Sequence, residues 1–170
     1  MQVKELLKMQ KELDKLIFKN SNITEYPISK VRLALLIEVG ELANEVQSFK
    51  YWKHNKNIKR ERILEEWADC LHFALSLENK LNSFANYIGD CTLLEFIKQC
   101  DEELYRIDID KNTFEDLIFL STFKVLTFHS TSALAQILIL GYRLNITSEE
   151  MEAAYKNKYQ KNIQRQKDNY

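Results

Sequence analysis

The sequence predicts an all-α protein built as a helical bundle. Three observations carry this. Only three glycines and one proline occur in 170 residues, so little interrupts regular backbone. Apolar residues recur near the helical period through most of the chain. The polar gap HNKNIK between two such stretches is short enough to join antiparallel neighbours.

The first helix is expected over residues 2 to 18, where Val3, Leu6, Leu7, Leu13, Leu16 and Ile17 approximate one face. KNSNITEYPIS follows. Pro27 limits helix there, and Ser29 is a candidate N-cap. A long helix is expected from about Lys30 to about Lys53, and a second from about Arg60 to Leu81. LLEFIKQCDEELYRI is a further expected helix. IDIDKNT is a turn, with Asn112 or Thr113 as its cap. FEDLIFLSTFKVLTFHSTSALAQILILGY, the most apolar stretch, reads as one bent helix or two short ones, stopped by Gly141. Thr147 or Ser148 caps a last helix, whose early glutamates and later lysines suit the helix dipole.

Composition sets bounds on function. The chain is 45% apolar and 29% charged, as in soluble globular proteins, and its length suits one domain over residues 1–170. A formal net charge of -1 argues against binding a nucleic-acid polymer. Three cysteines, Cys70, Cys91 and Cys100, lack the spacing of a disulfide framework or a thiolate zinc site. The N-terminus is too charged for a signal peptide, and no apolar run is long enough to span a membrane. The expected location is a reducing cytoplasm.

Acidic residues interrupt the apolar stripes of the two long helices. On the first, Val31, Leu35, Glu38, Leu42, Glu45, Phe49 and Trp52 fall on one seam, with Glu41 beside it. On the second, Ile63, Glu66, Cys70, Phe73 and Leu77 form the stripe, with Asp69 one turn beyond Glu66. A single Glu-x-x-Glu is usually a solvated helix face. Two acidic pairs on facing stripes are a different matter, because clustered carboxylates repel and lose hydration. Divalent cations relieve both costs, and an all-oxygen set favours Mg²⁺ or Mn²⁺ over zinc. The Glu-x-x-His pair of di-iron bundles does not occur, although Asp69 and His72 share its spacing. Spacing alone therefore reaches a helical protein with a site for hard divalent ions. Such ions commonly bind phosphates and activate water.

The segments RLALLIEVGELANEVQSFKYWK and EEWADCLHFALSL resemble the dimeric, all-α dUTP diphosphatases of the MazG-like pyrophosphohydrolase superfamily. The superfamily pattern, E-x-x-E followed by E-x-x-D, is met by Glu38, Glu41, Glu66 and Asp69. The C-terminus is similar to the family's ending at Tyr155, Lys158, Asn162, Arg165, Gln166 and Tyr170. It departs at Tyr159, where the family tends to have Asn, and at Asn169, where it tends to have Gly. The resemblance covers about residues 3 to 170 and is weakest over 82 to 112.

It implies hydrolysis of dUTP to dUMP and pyrophosphate, with dUDP also accepted, two or more Mg²⁺ ions, and a homodimer. Glu41 is the candidate to orient or deprotonate water. Glu38, Glu66 and Asp69, together with Glu41, are candidate metal ligands. Lys53, Lys158 and Arg165 would meet phosphate charge. Asn162 and Gln166 would contact the nucleotide, Gln10 would read the base, and Trp52 and Phe73 would pack near it. The apolar stretch 114–140 is the candidate dimer face. A related dCTP or NTP pyrophosphohydrolase, or a non-catalytic helical interaction module, are the alternatives. The residues carry no independent signal for a protein regulator.

Overall fold

The computed structural model describes residues 2–83, 92, 95, 114–128 and 133–168. Apart from Glu95, the expected helix LLEFIKQCDEELYRI, the IDIDKNT turn, Cys91, Cys100 and Tyr170 lie outside them. Among the described residues the fold is all-helical: α1 Val3–Asn20, α2 Ile28–Val46, α3 Arg60–Leu81, α4 Phe114–Phe128, α5 Ala133–Arg143 and α6 Ser148–Lys167.

α3 is the axis of the bundle. It packs against α1, α2, α5 and α6, while α4 lies against α2 and α5. Its central turns have buried residues on every side: Trp67, Ala68, Cys70, Leu71, His72, Ala74, Leu75, Ser76 and Leu77. A helix buried all round loses the one-sided pattern of a surface helix and must satisfy its polar groups internally. The Trp67 indole N–H donates to the Ile137 carbonyl at 3.0 Å. The Asn79 amide donates to the Leu7 carbonyl at 2.9 Å. α1 presents Val3, Leu6, Gln10 and Leu13 to this core, at alternating spacings of three and four residues.

Three boundaries depart from the sequence reading. Pro27, not Ser29, is the residue before the first turn of α2, which suits the fixed φ of proline. α2 ends at Val46 rather than near Lys53. Gln47 turns into the left-handed region at φ 58°. Lys50 Nζ donates to the open Asn44 carbonyl of the last turn at 2.9 Å, and Lys56 Nζ bonds the Ser48 carbonyl just beyond the helix at 3.2 Å. Phe49 and Trp52 therefore leave the helical seam.

Gly141 does not stop a helix. It lies inside α5, where an added Cβ would sit 2.4 Å from Trp67 Nε1 and 2.8 Å from Met151 Cε. Its lack of a side chain lets α5 approach the α3 indole. The turn comes later, at Asn145, with φ 56°. The stretch predicted as one bent helix or two is two, α4 and α5, with residues 129–132 outside the described set.

The expected cap of α6 is present. Thr147 Oγ1 accepts from the Glu150 backbone N–H at 3.2 Å, and the Glu150 carboxylate accepts from the Thr147 backbone N–H at 2.9 Å. Arg60, at the first turn of α3, bonds this Glu150 carboxylate and the Leu144 and Asn145 carbonyls. It thereby ties the α5–α6 junction to α3.

Candidate metal centre

Among the described residues α2 and α3 share the most extensive helix–helix contact, and their acidic turns meet. Glu38 of α2 and Glu66 and Asp69 of α3 bring carboxylate oxygens within 4.8 Å of one another. The cause is local. Val39 and Leu42 on α2 are wholly buried, as are Cys70 and Leu71 on α3. Burial of those neighbours fixes the helical faces, and the i,i+3 spacing lines Glu66 up with Asp69 on the same side. Glu66 is only 5% exposed.

The electrostatics are those of crowded, partly dehydrated carboxylates. Burial first, then the charges of Asp69, Glu41 and Glu66, together push the Glu38 carboxyl up to about 7, against the pull of Lys158. Burial also raises Glu66 and Asp69 above the usual carboxylate range, against the pull of Arg62 and Lys158 respectively. Burial, followed by the charges of Glu38, Asp69 and Glu66, holds the Cys70 thiol in its neutral form.

Two bases answer the charge. Arg62 donates to Glu66 at 2.5 Å and to Glu65 at 2.7 Å. Lys158, on α6, donates to Asp69. The set fits a divalent cation: three converging oxygen donors, none of them histidine or thiolate, whose mutual repulsion an added positive charge would relieve.

The structure places the other candidate residues as follows. Glu41 is exposed beside the trio and makes no hydrogen bond or ion pair among the described residues. Its charge nevertheless acts on Glu38 and Glu66. Arg165 is exposed and donates to Asn162 Oδ1 at 3.3 Å. Its charge acts on Asp69. Gln166 accepts from the Asn20 amide through both its backbone and side-chain oxygens, which joins the end of α6 to the end of α1. Lys53 is exposed. Trp52 is 57% exposed and sits edge-on to Phe49 and Tyr51. Phe73 is half-buried and packs on the core.

Gln10 is 3% exposed and belongs to a buried polar cluster. Its Nε2 donates to Asp14 at 2.7 Å, and its Oε1 accepts from Tyr155 at 3.3 Å. His72 Nδ1 lies 2.7 Å from the same Oε1. An amide oxygen only accepts, so with this amide orientation the imidazole proton is on Nδ1. That leaves Nε2 as an acceptor without a partner among the described residues. Burial, reinforced by the Lys158 charge, lowers His72 to about 3, so the ring is neutral. It stacks on Tyr155, with centroids 4.4 Å apart.

Arg62 and Glu65 are absent from the sequence-derived site. Their signal was available, since Arg62 stands three residues before Glu65 and four before Glu66. The Lys158–Asp69 pair had no such signal, because 89 residues separate its members.

A family model described as dUTPase matches residues 2–170. A comparison with curated proteins gave no match.

Proposed function

We propose a mechanism from one premise: the chain belongs to the dUTPase family, of the all-α, MazG-like kind, and it is a pyrophosphohydrolase that converts dUTP to dUMP and pyrophosphate. In this reading Glu38, Glu66 and Asp69, joined by Glu41, hold two or more Mg²⁺ ions, with Mn²⁺ as a substitute. The observation that carries it is the convergence of three carboxylates within 4.8 Å, with Glu38 displaced to about 7. Bound Mg²⁺ would lower the pKa of water and neutralise phosphate charge.

The chain's own groups do the rest. Glu41, open to solvent and unengaged among the described residues, accepts the attacking water's proton. Lys158 exchanges Asp69 for phosphate oxygen, and Arg165 and Lys53 add charge from the open side. Asn162 and Gln166 supply polar contacts to the nucleotide. Trp52 and Phe73 pack near the base, and Gln10 reads its edge with the amide proton that Asp14 leaves free. dUDP is a second substrate.

The working unit is a homodimer formed by the whole chain as one domain. Leu33 and Ile37 on α2 and Leu120 and Phe128 on α4 stay exposed, and these two helices pack together. Among the described residues, no helix is long and apolar enough to cross a membrane. The buried Cys70 is a free thiol, which fits the reducing cytoplasm expected from the sequence.

A nucleotide panel with and without Mg²⁺ tests this reading. dUMP and pyrophosphate should form fastest from dUTP, and only with the cation. Turnover in a metal-free reaction, or a faster rate with dCTP, would contradict it.

A further inference from the structure

We propose that Glu65 is a positioning residue, the carboxylate that keeps hold of Arg62 and Lys158 when divalent cations take over Glu66 and Asp69. The assignment rests on the metal reading above. In the structure each of these bases neutralises one candidate ligand: Arg62 lies on Glu66 at 2.5 Å, and Lys158 lies on Asp69. A cation must displace both. A displaced base with no other acceptor would compete for its old carboxylate.

Glu65 supplies that acceptor. Arg62 spans the two glutamates, with Nη1 on Glu65 at 2.7 Å while Nη2 holds Glu66. Lys158 Nζ is already 3.8 Å from Glu65 Oε1. Lys161 Nζ, one turn further along α6, bonds the same oxygen at 3.0 Å. Glu65 is not one of the three converging ligands. Each base can therefore let go of its ligand and stay anchored beside it, where substrate phosphate would arrive. Helix geometry makes this possible. Arg62 is three residues from Glu65 and four from Glu66, so one guanidinium fork reaches both.

Calorimetric titration of Mn²⁺ into the cation-free protein, without nucleotide, tests the assignment. E65Q should weaken Mn²⁺ binding by about tenfold, a typical coupling between contacting residues. R62Q should tighten it several-fold, by removing a competitor. In the R62Q background the further E65Q change should cost clearly less, about threefold, because only Lys158 is left for Glu65 to hold. Equal effects of E65Q in both backgrounds would mean that Glu65 acts only as a nearby charge, and would overturn the proposal. If E65Q fails to fold, the R62Q result still decides: unchanged or weaker binding overturns it. Wild-type protein that takes up no Mn²⁺ would instead remove the metal reading beneath it.

Discussion

The α3 helix and the segment that follows α2 carry different kinds of proposed site residue in different ways. Glu66 and Asp69 stand on a helix that is buried all round and braced by four others. Phe49, Tyr51, Trp52 and Lys53 stand on a short exposed segment closed by two lysine-to-carbonyl bonds. The difference teaches a division of labour. Converging carboxylates need positions good to a fraction of an ångström, and a packed helix supplies them. Groups that close on a substrate need freedom to approach it, and an open segment supplies that.

The comparison breaks most severely at the carboxylates. Glu66→Ala should remove cation binding and lower dUTP turnover by roughly 10²–10³-fold, the range for losing preorganised electrostatic stabilisation. Glu41→Gln should cut turnover comparably while leaving the fold and much of the cation affinity in place. Steady-state kinetics paired with Mn²⁺ titration separates the two roles. Normal turnover by both variants would end the site assignment.

On the packing side, Gly141→Ala forces a methyl group into the Trp67 indole. It should cost roughly 1–3 kcal/mol of stability, the usual range for overpacking, measured by denaturant unfolding. An unchanged midpoint would show that α3 and α5 are not held as closely as described. The smallest effect belongs to the open segment. Trp52→Ala should leave the unfolding midpoint alone and raise KM for dUTP by about fivefold, near 1 kcal/mol of aromatic contact. A large loss of stability instead would make Trp52 a packing residue.

Much of this was legible in the sequence, and what was not has physical reasons. The bounds of α3 match the expectation, because its apolar run is long and flanked by polar residues. The trio of Glu38, Glu66 and Asp69 could be read because Glu38 and Glu66 interrupt helical stripes, with Asp69 one turn from Glu66, and periodicity survives folding. The end of α2 was misread because Phe49 and Trp52 continue its period, while Lys50, which reaches back to the Asn44 carbonyl, leaves no mark on that period. Gly141 was misread because a glycine needed for close packing looks the same in sequence as one needed for a turn. The Lys158–Asp69 pair required the α3–α6 contact, which no local pattern announces.

Burial and neighbouring charge give the acidic cluster a definite pH behaviour. Glu38 lies near 7 in the folded protein, against an ordinary 4.5. Between those values the folded chain keeps a proton that the unfolded chain has released. The cation-free protein should therefore lose stability as pH rises through that window. Glu66 and Asp69, also raised, act in the same direction. A bound divalent cation should reverse the trend, because it needs the ionised carboxylates.

The most direct measurement is Mg²⁺ binding near pH 6.5, followed by calorimetry in two buffers of different ionisation enthalpy. The account predicts that each binding event releases protons, that affinity rises as pH passes 7, and that Glu38→Gln abolishes most of the release. Binding with no proton release, or release unchanged in Glu38→Gln, would contradict the claim that these carboxylates form one cation site.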